Sequence, residues 1–233
     1  MPKILKSVMG SGADVAKSFK CEPNCALCCK LSPITVLPHE VYLLQREAEE
    51  LGVEVMFSPS YIVVDELNKV RIVLSYLLML NGRGECPFLR GTKCLVHDSY
   101  KPLTCRSFPY LPRIIRYSMD VATKTIDFDV SFVASYACPV VKRDDPSYGN
   151  GDMRIYFKNE VPSAQEAIAL RKFYAATLTQ MWRSGAIELT DEDGRTVPYP
   201  LVNGYFFIRQ RMPMITLNVI NDIALKARRG TEQ

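Results

Sequence analysis

The sequence predicts an α+β fold: a small antiparallel sheet or hairpins, packed helices that include C-terminal ones, and cysteine-bearing loops between them. Three observations carry that prediction. Residues 38–51 place apolar side chains at helical spacing, residues 61–80 and 113–133 are rich in β-branched and aromatic residues around short polar turns, and residues 162–184 carry a second helical stripe. With 233 residues and 48% hydrophobic content, the chain can build a real core.

Pro38 suits a first helical turn, because its fixed φ is helical and the N–H it lacks would be unpaired there anyway. Val41, Leu44, Ala48 and Leu51 then recur on one face, and Gly52 ends the helix. Residues 61–65 and 70–80 read as strands separated by Glu66-Leu67-Asn68-Lys69. Residues 113–121 and 125–133 read as a second hairpin around Ala122-Thr123-Lys124. Pro162 and Ser163 open a helix through Ser184 that sets Ala167, Leu170, Tyr174, Leu178 and Trp182 on one side, with Gly185 as its stop. A short hairpin around Glu192-Asp193-Gly194 and a terminal helix over 213–229 complete the reading. These stripes are read as core packing, not as a cofactor box.

A net charge of +4, with basic residues scattered among 25 acidic ones, gives no strong nucleic-acid signal. Lys3, Lys6, Asp14, Lys17 and Lys20 interrupt any signal-peptide run. No stretch reaches the ~18 apolar residues of a membrane span. The expectation is a cytoplasmic protein without a membrane span.

Eight cysteines stand out. Seven fall in two windows, Cys21-x3-Cys25-x2-Cys28-Cys29 and Cys86-x7-Cys94-x10-Cys105, and Cys138 follows the second hairpin. Thiolates so crowded repel one another and cost folding free energy unless a soft cation neutralises them. In a reducing compartment, that favours metal ligation over a disulfide framework. All eight are therefore candidate ligands of zinc or of an iron–sulfur cluster such as [4Fe–4S]. Residues 1–145 are expected to form the cysteine-cluster metal-binding domain, and 146–233 a helical and hairpin extension packed on it as one compact unit.

On an extended backbone Cys28 and Cys29 would point to opposite sides, which assigns them to different ions or leaves one as packing. Eight thiols divide into two four-sulfur sites, with one [4Fe–4S] cluster plus buried spare cysteines as the competing partition. Cys94-x2-His97 could set sulfur and nitrogen on one zinc, whereas His39 at the front of a helix is a weaker candidate. Pro87, Pro102, Pro109 and Pro139 stiffen the ligand loops. Arg83, Arg90, Lys93, Lys101 and Arg106 could offset thiolate charge, Arg106 foremost because it adjoins Cys105.

Cys21-x3-Cys25-x2-Cys28 has the spacing of the cluster motif of radical S-adenosylmethionine enzymes. The context departs from them: Leu27 stands where they carry an aromatic residue, and successive βα units are missing from the pattern. The run Cys21-Glu22-Pro23-Asn24-Cys25-Ala26-Leu27-Cys28-Cys29, then Cys86-Pro87-Phe88-Leu89, Cys94-Leu95-Val96-His97 and Lys101-Pro102-Leu103-Thr104-Cys105-Arg106-Ser107-Phe108-Pro109, resembles the YkgJ-like cysteine-cluster proteins described as zinc- or iron-chelating. The cluster is also similar to that of flagellin lysine-N-methylases. The resemblance spans about half the chain, from Cys21 to Cys138, and implies a zinc or iron–sulfur centre. That family accepts tyrosine at the position of His97, which speaks against a ligand role there.

Two function classes follow. One is an iron–sulfur enzyme, either a redox protein or, as the methylase resemblance implies, an S-adenosylmethionine-dependent enzyme acting on a protein substrate. The other is a structural zinc module that serves a protein partner. No glycine-rich nucleotide loop and no Ser/His/Asp set is present, so neither S-adenosylmethionine nor catalysis has an independent motif, and catalytic residues stay unassigned.

Overall fold

The computed structural model describes residues 18–146, 153–191 and 197–214. In chain order, strand β1 (Ile34–Val36), helix α1 (Pro38–Leu51) and strands β2 (Phe57–Asp65) and β3 (Val70–Leu78) come first. A tight hairpin, β4 (Leu89–Arg90) and β5 (Lys93–Cys94), precedes the one-turn helix α2 (Leu103–Ser107). The long hairpin β6 (Tyr110–Asp120) and β7 (Thr125–Ala134) leads to helices α3 (Pro139–Asp144), α4 (Met153–Tyr156) and α5 (Val161–Arg183). Strands β8 (Leu189–Asp191) and β9 (Leu201–Asn203) and helix α6 (Gly204–Arg211) follow. The fold is α+β, as the periodicities predict.

β2 and β3 form the centre of a five-stranded sheet. Their turn is held by the buried Asp65, whose Oδ1 accepts the amides of Leu67 at 3.1 Å and Asn68 at 3.3 Å. β8 pairs antiparallel with β2. β1 and β9 share the other edge of β3: β1 runs antiparallel against Tyr76–Leu78, and β9 runs parallel against Arg71–Val73. The turn expected at Glu192–Gly194 lies outside the described residues, and its flanking strands are taken up by β2 and β3. The terminal helix expected over 213–229 lies outside the described residues from 215 onward. Helix α6 was not foreshadowed by the periodicity.

α1 starts at Pro38, where the Leu37 amide donates to Glu40 Oε2 at 2.8 Å, and stops at Gly52, which is left-handed at φ 62°. Val41, Leu44 and Ala48 are buried as expected, but Leu51, in the last turn, is exposed. α5 buries Ala167, Leu170, Tyr174, Leu178 and Trp182, and packs on α2 and the long hairpin. Its lower half joins β2, β3, β7 and α6 in the main core, while α1, β3 and the β4–β5 hairpin enclose a second core around Leu44, Leu78 and Phe88. Among the described residues, no helix is long and apolar enough to cross a membrane.

Candidate metal centre

Residues 21–26 wind through two left-handed positions, Asn24 at φ 59° and Ala26 at φ 50°, into a 3-10 turn over Leu27–Lys30 that carries Cys28 and Cys29. The β4–β5 hairpin turns at Gly91, φ 64°, and sets Cys94 opposite Leu89, with Cys86 just ahead of it. The two segments are stapled together. The Cys86 amide donates to the Cys29 carbonyl at 2.7 Å, Lys30 pairs with Glu85 at 2.9 Å, and Thr92 Oγ1 donates to Asn24 Oδ1 at 3.4 Å.

Cys105 is delivered by α2, whose position depends on Glu40. This carboxylate, 1% exposed, accepts the Leu103 amide at 2.8 Å and the Tyr100 hydroxyl at 3.1 Å on Oε1, while Oε2 caps α1. One side chain thus ties α1, the 100–102 segment and α2 together. Thr104 Oγ1 adds a bond to the Thr35 carbonyl of β1 at 2.7 Å.

The result is one cavity of about 810 Å³ lined by Cys21, Cys25, Cys28, Cys29, Cys86, Cys94 and Cys105. Cys138 does not line it. That thiol is buried among Tyr110, Val141 and Phe157 at the start of α3, within electrostatic range of Cys21. Among the described residues, no three Cys, His, Asp or Glu side chains stand close enough to grip an ion as they are placed.

The thiols strongly influence one another. The Cys28 and Cys29 thiols share a hydrogen bond at 4.0 Å, and this contact, with burial and repulsion from Cys29, pushes the Cys28 thiol far up. Cys29 is lowered by that bond but raised more by the neighbouring Cys86 thiol, by burial and by Cys94, and ends at about 11. Cys86 is lowered instead, chiefly by its contact with the Cys29 thiol, although burial opposes this. Burial raises Cys21, Cys94 and Cys105, with neighbouring thiols adding to it, while Lys101 opposes the rise at all three and at Cys28. Cys21, Cys28, Cys29, Cys94 and Cys105 thus resist ionisation together, which a bound cation would relieve.

Two expectations need correction, those for Cys28 with Cys29 and for Arg106. Cys28 and Cys29 do not diverge: the backbone there is a 3-10 turn rather than extended, both line the same cavity, and their Sγ atoms are 4.0 Å apart. Arg106 is not the nearest positive charge, because it turns towards Glu166 of α5 at 3.9 Å and Lys101 faces the thiols instead. His39 is remote from the cysteines: fully buried, it stacks on Tyr174 with Nδ1 3.0 Å from the hydroxyl, and burial lowers its pKa to about 3. His97 is exposed and lines the cavity.

Residues 20–128 match the family model CxxCxxCC, described as a putative zinc- or iron-chelating domain. The matched span takes in all seven cysteines of the cavity and ends before Cys138. No curated protein and no solved structure matches the chain. The match supports a metal-binding role for this region and leaves zinc and iron both open. Sequence reasoning missed two residues that shape the cysteine cavity, Glu40 and Arg171. Arg171 lines the cavity and interrupts the apolar stripe of α5 between Ala167 and Tyr174, which is the one signal that could have found it.

Proposed function

We propose that this is a YkgJ-like metal protein that holds zinc or an iron–sulfur cluster through cysteines on the wall of a ligand-sized cavity. The observation that carries the reading is the convergence of seven cysteines from the 21–29 segment, the β4–β5 hairpin and α2 on one cavity. Cys28, Cys29, Cys86, Cys94 and Cys105 are the thiols best suited to a first centre, with Cys21, Cys25 and Cys138 available to a second. The 4.0 Å between Cys28 and Cys29 is near the roughly 3.8 Å separating two sulfurs that share a tetrahedral zinc at about 2.3 Å. Bound zinc would supply Lewis acidity, and a bound iron–sulfur cluster would supply electrons.

The cavity exceeds what an ion needs, which favours a centre that meets a ligand over a closed structural zinc module. On this reading the chain is an enzyme of the redox or S-adenosylmethionine-dependent kind, cytoplasmic, with a protein substrate or partner. Residues 1–145 supply the ligands and 146–233 form the extension. The test is metal and acid-labile sulfide analysis, with a visible spectrum, of protein purified without oxygen. Brown protein with iron and sulfide supports a cluster, and colourless protein with stoichiometric zinc supports a thiolate zinc site. Protein recovered with neither metal and with four disulfides overturns the reading.

A further inference from the structure

The cavity's other positive charge lies in α5. Arg171 is 4% exposed and lines the same cavity as the cysteines. Its Nη1 donates to the Tyr117 hydroxyl at 2.8 Å and to Ser75 Oγ at 3.4 Å, and Tyr117 is itself fixed by stacking on Tyr61 at 3.8 Å between ring centroids. Its Nε–H is buried and has no acceptor. Among the described residues, none of the ion pairs involves Arg171, and Glu40 attracts it only at longer range. An arginine keeps its charge at any physiological pH, so a guanidinium buried with an idle N–H and no contact anion is an incomplete arrangement. Leu78, Leu80, Phe88, Leu111 and Val133 make the neighbouring wall apolar, and the volume is that of a small-molecule site. Lys101 adds a second positive charge near the thiols, and Glu22 is the acidic residue on the lining.

We infer that Arg171 is the anchor of an anion subsite: the cavity takes a small organic molecule with a carboxylate or phosphate head on Arg171 and an apolar body along the leucine and phenylalanine wall towards the cysteines. The inference rests on the proposed metal cavity and names the class of ligand that would meet the centre. The guanidinium offers a planar fork matched to either head group, and the Tyr117 bond holds that fork in place.

The test is calorimetric titration of the purified, metal-loaded protein with hexanoate, hexyl phosphate and the neutral hexanamide. At least one of the two anions should bind about tenfold more tightly than the amide, or better, since a hydrogen bond to a charged group is worth more than a neutral one. Arg171→Gln should bring the three probes to within about twofold of one another, whereas Lys172→Met, an exposed charge on the same helix, should leave the preference in place. In ¹⁵N-labelled wild-type protein the Arg171 Nε–H resonance should move on adding the preferred anion, a readout that does not depend on the variant folding. Equal binding of anions and amide by wild type, an unmoved Nε–H signal, or a preference that survives Arg171→Gln overturns the inference; the last would place the anion on the metal. Metal content measured on the same samples separates the two ideas. Loaded protein that ignores charge refutes the anion subsite alone, and metal-free protein that still selects anions refutes the metal reading alone.

Discussion

Replacing Glu40 by Gln should destabilise the protein by about 2 kcal/mol and loosen the hold on Cys105. The carboxylate serves three donors: the Leu37 amide on Oε2, and the Leu103 amide and Tyr100 hydroxyl on Oε1. Glutamine keeps one acceptor oxygen. Its better orientation retains Leu103 and Tyr100 and turns the amide NH₂ against the Leu37 N–H, leaving a buried donor unpaired at a cost of about 2 kcal/mol. The two surviving bonds change from a charged to a neutral acceptor, which removes about 1 kcal/mol more. Relief from burying a charge, the same effect that raises the Glu40 pKa, returns roughly 1 kcal/mol. Urea denaturation at neutral pH, with an unchanged slope, measures the balance. Glu49→Gln, exposed on the same helix, should stay within about 0.5 kcal/mol of wild type. The metal content of Glu40→Gln should fall as well, because α2 loses part of its anchor. A variant as stable as wild type would refute the three-donor account.

Other perturbations follow from single contacts. The unfolded chain protonates His39 near 6.5, while the folded protein keeps it neutral down to about 3, so stability should fall as pH drops below 6.5. Between pH 7 and 5 wild type should lose about 2 kcal/mol more than His39→Gln, and parallel losses in urea titrations at the two pH values would contradict this. Ala26→Gly should raise stability by about 0.5 kcal/mol, since relief of the left-handed backbone slightly exceeds the entropy cost of glycine; a lower melting temperature would count against it. Gly204→Ala should cost about 2 kcal/mol, because the added carbon would sit 2.7 Å from the Val73 carbonyl and 3.0 Å from Leu74 Cδ2. A loss below about 0.5 kcal/mol would show that β3 and α6 can part without penalty.

The long periodic elements were legible because local pattern and tertiary environment agree in them. Pro38 and Gly52 bound α1, and Val70 starts β3 where the turn was expected. What stayed hidden depends on contacts between distant segments. β1 and β9 have three residues each, too few for a period, and exist because β3 offers a shared edge. The roles of Glu40 and Arg171 arise from burial, which a charged residue on a helix does not announce. The cysteine spacing singled out the segments that the fold brings to one cavity, yet alternation along an extended chain was the wrong rule for Cys28 and Cys29. A turn that contains two left-handed residues just upstream folds tightly, and its neighbouring side chains are not sent to opposite faces.

That turn makes a sharp prediction about metal stoichiometry. If Cys28 and Cys29 served separate ions, each serine substitution would remove its own share, and the losses would add in the double variant. The structure joins them instead: the Cys28 and Cys29 Sγ atoms are 4.0 Å apart, both line the cavity with Cys86, and the Cys86 amide is bonded to the Cys29 carbonyl at 2.7 Å. Both thiols therefore act on the same end of the cavity, and Cys29 is the link to the second cysteine segment. Cys29→Ser should lose more metal than Cys28→Ser, and Cys28→Ser/Cys29→Ser should lose no more than Cys29→Ser alone. Thermal stability should follow the same order, because ligands drawn from segments so far apart in the chain make metal binding part of the folding free energy. Metal counts on the three variants and wild type, purified side by side without oxygen, decide it, and losses that add refute the shared centre.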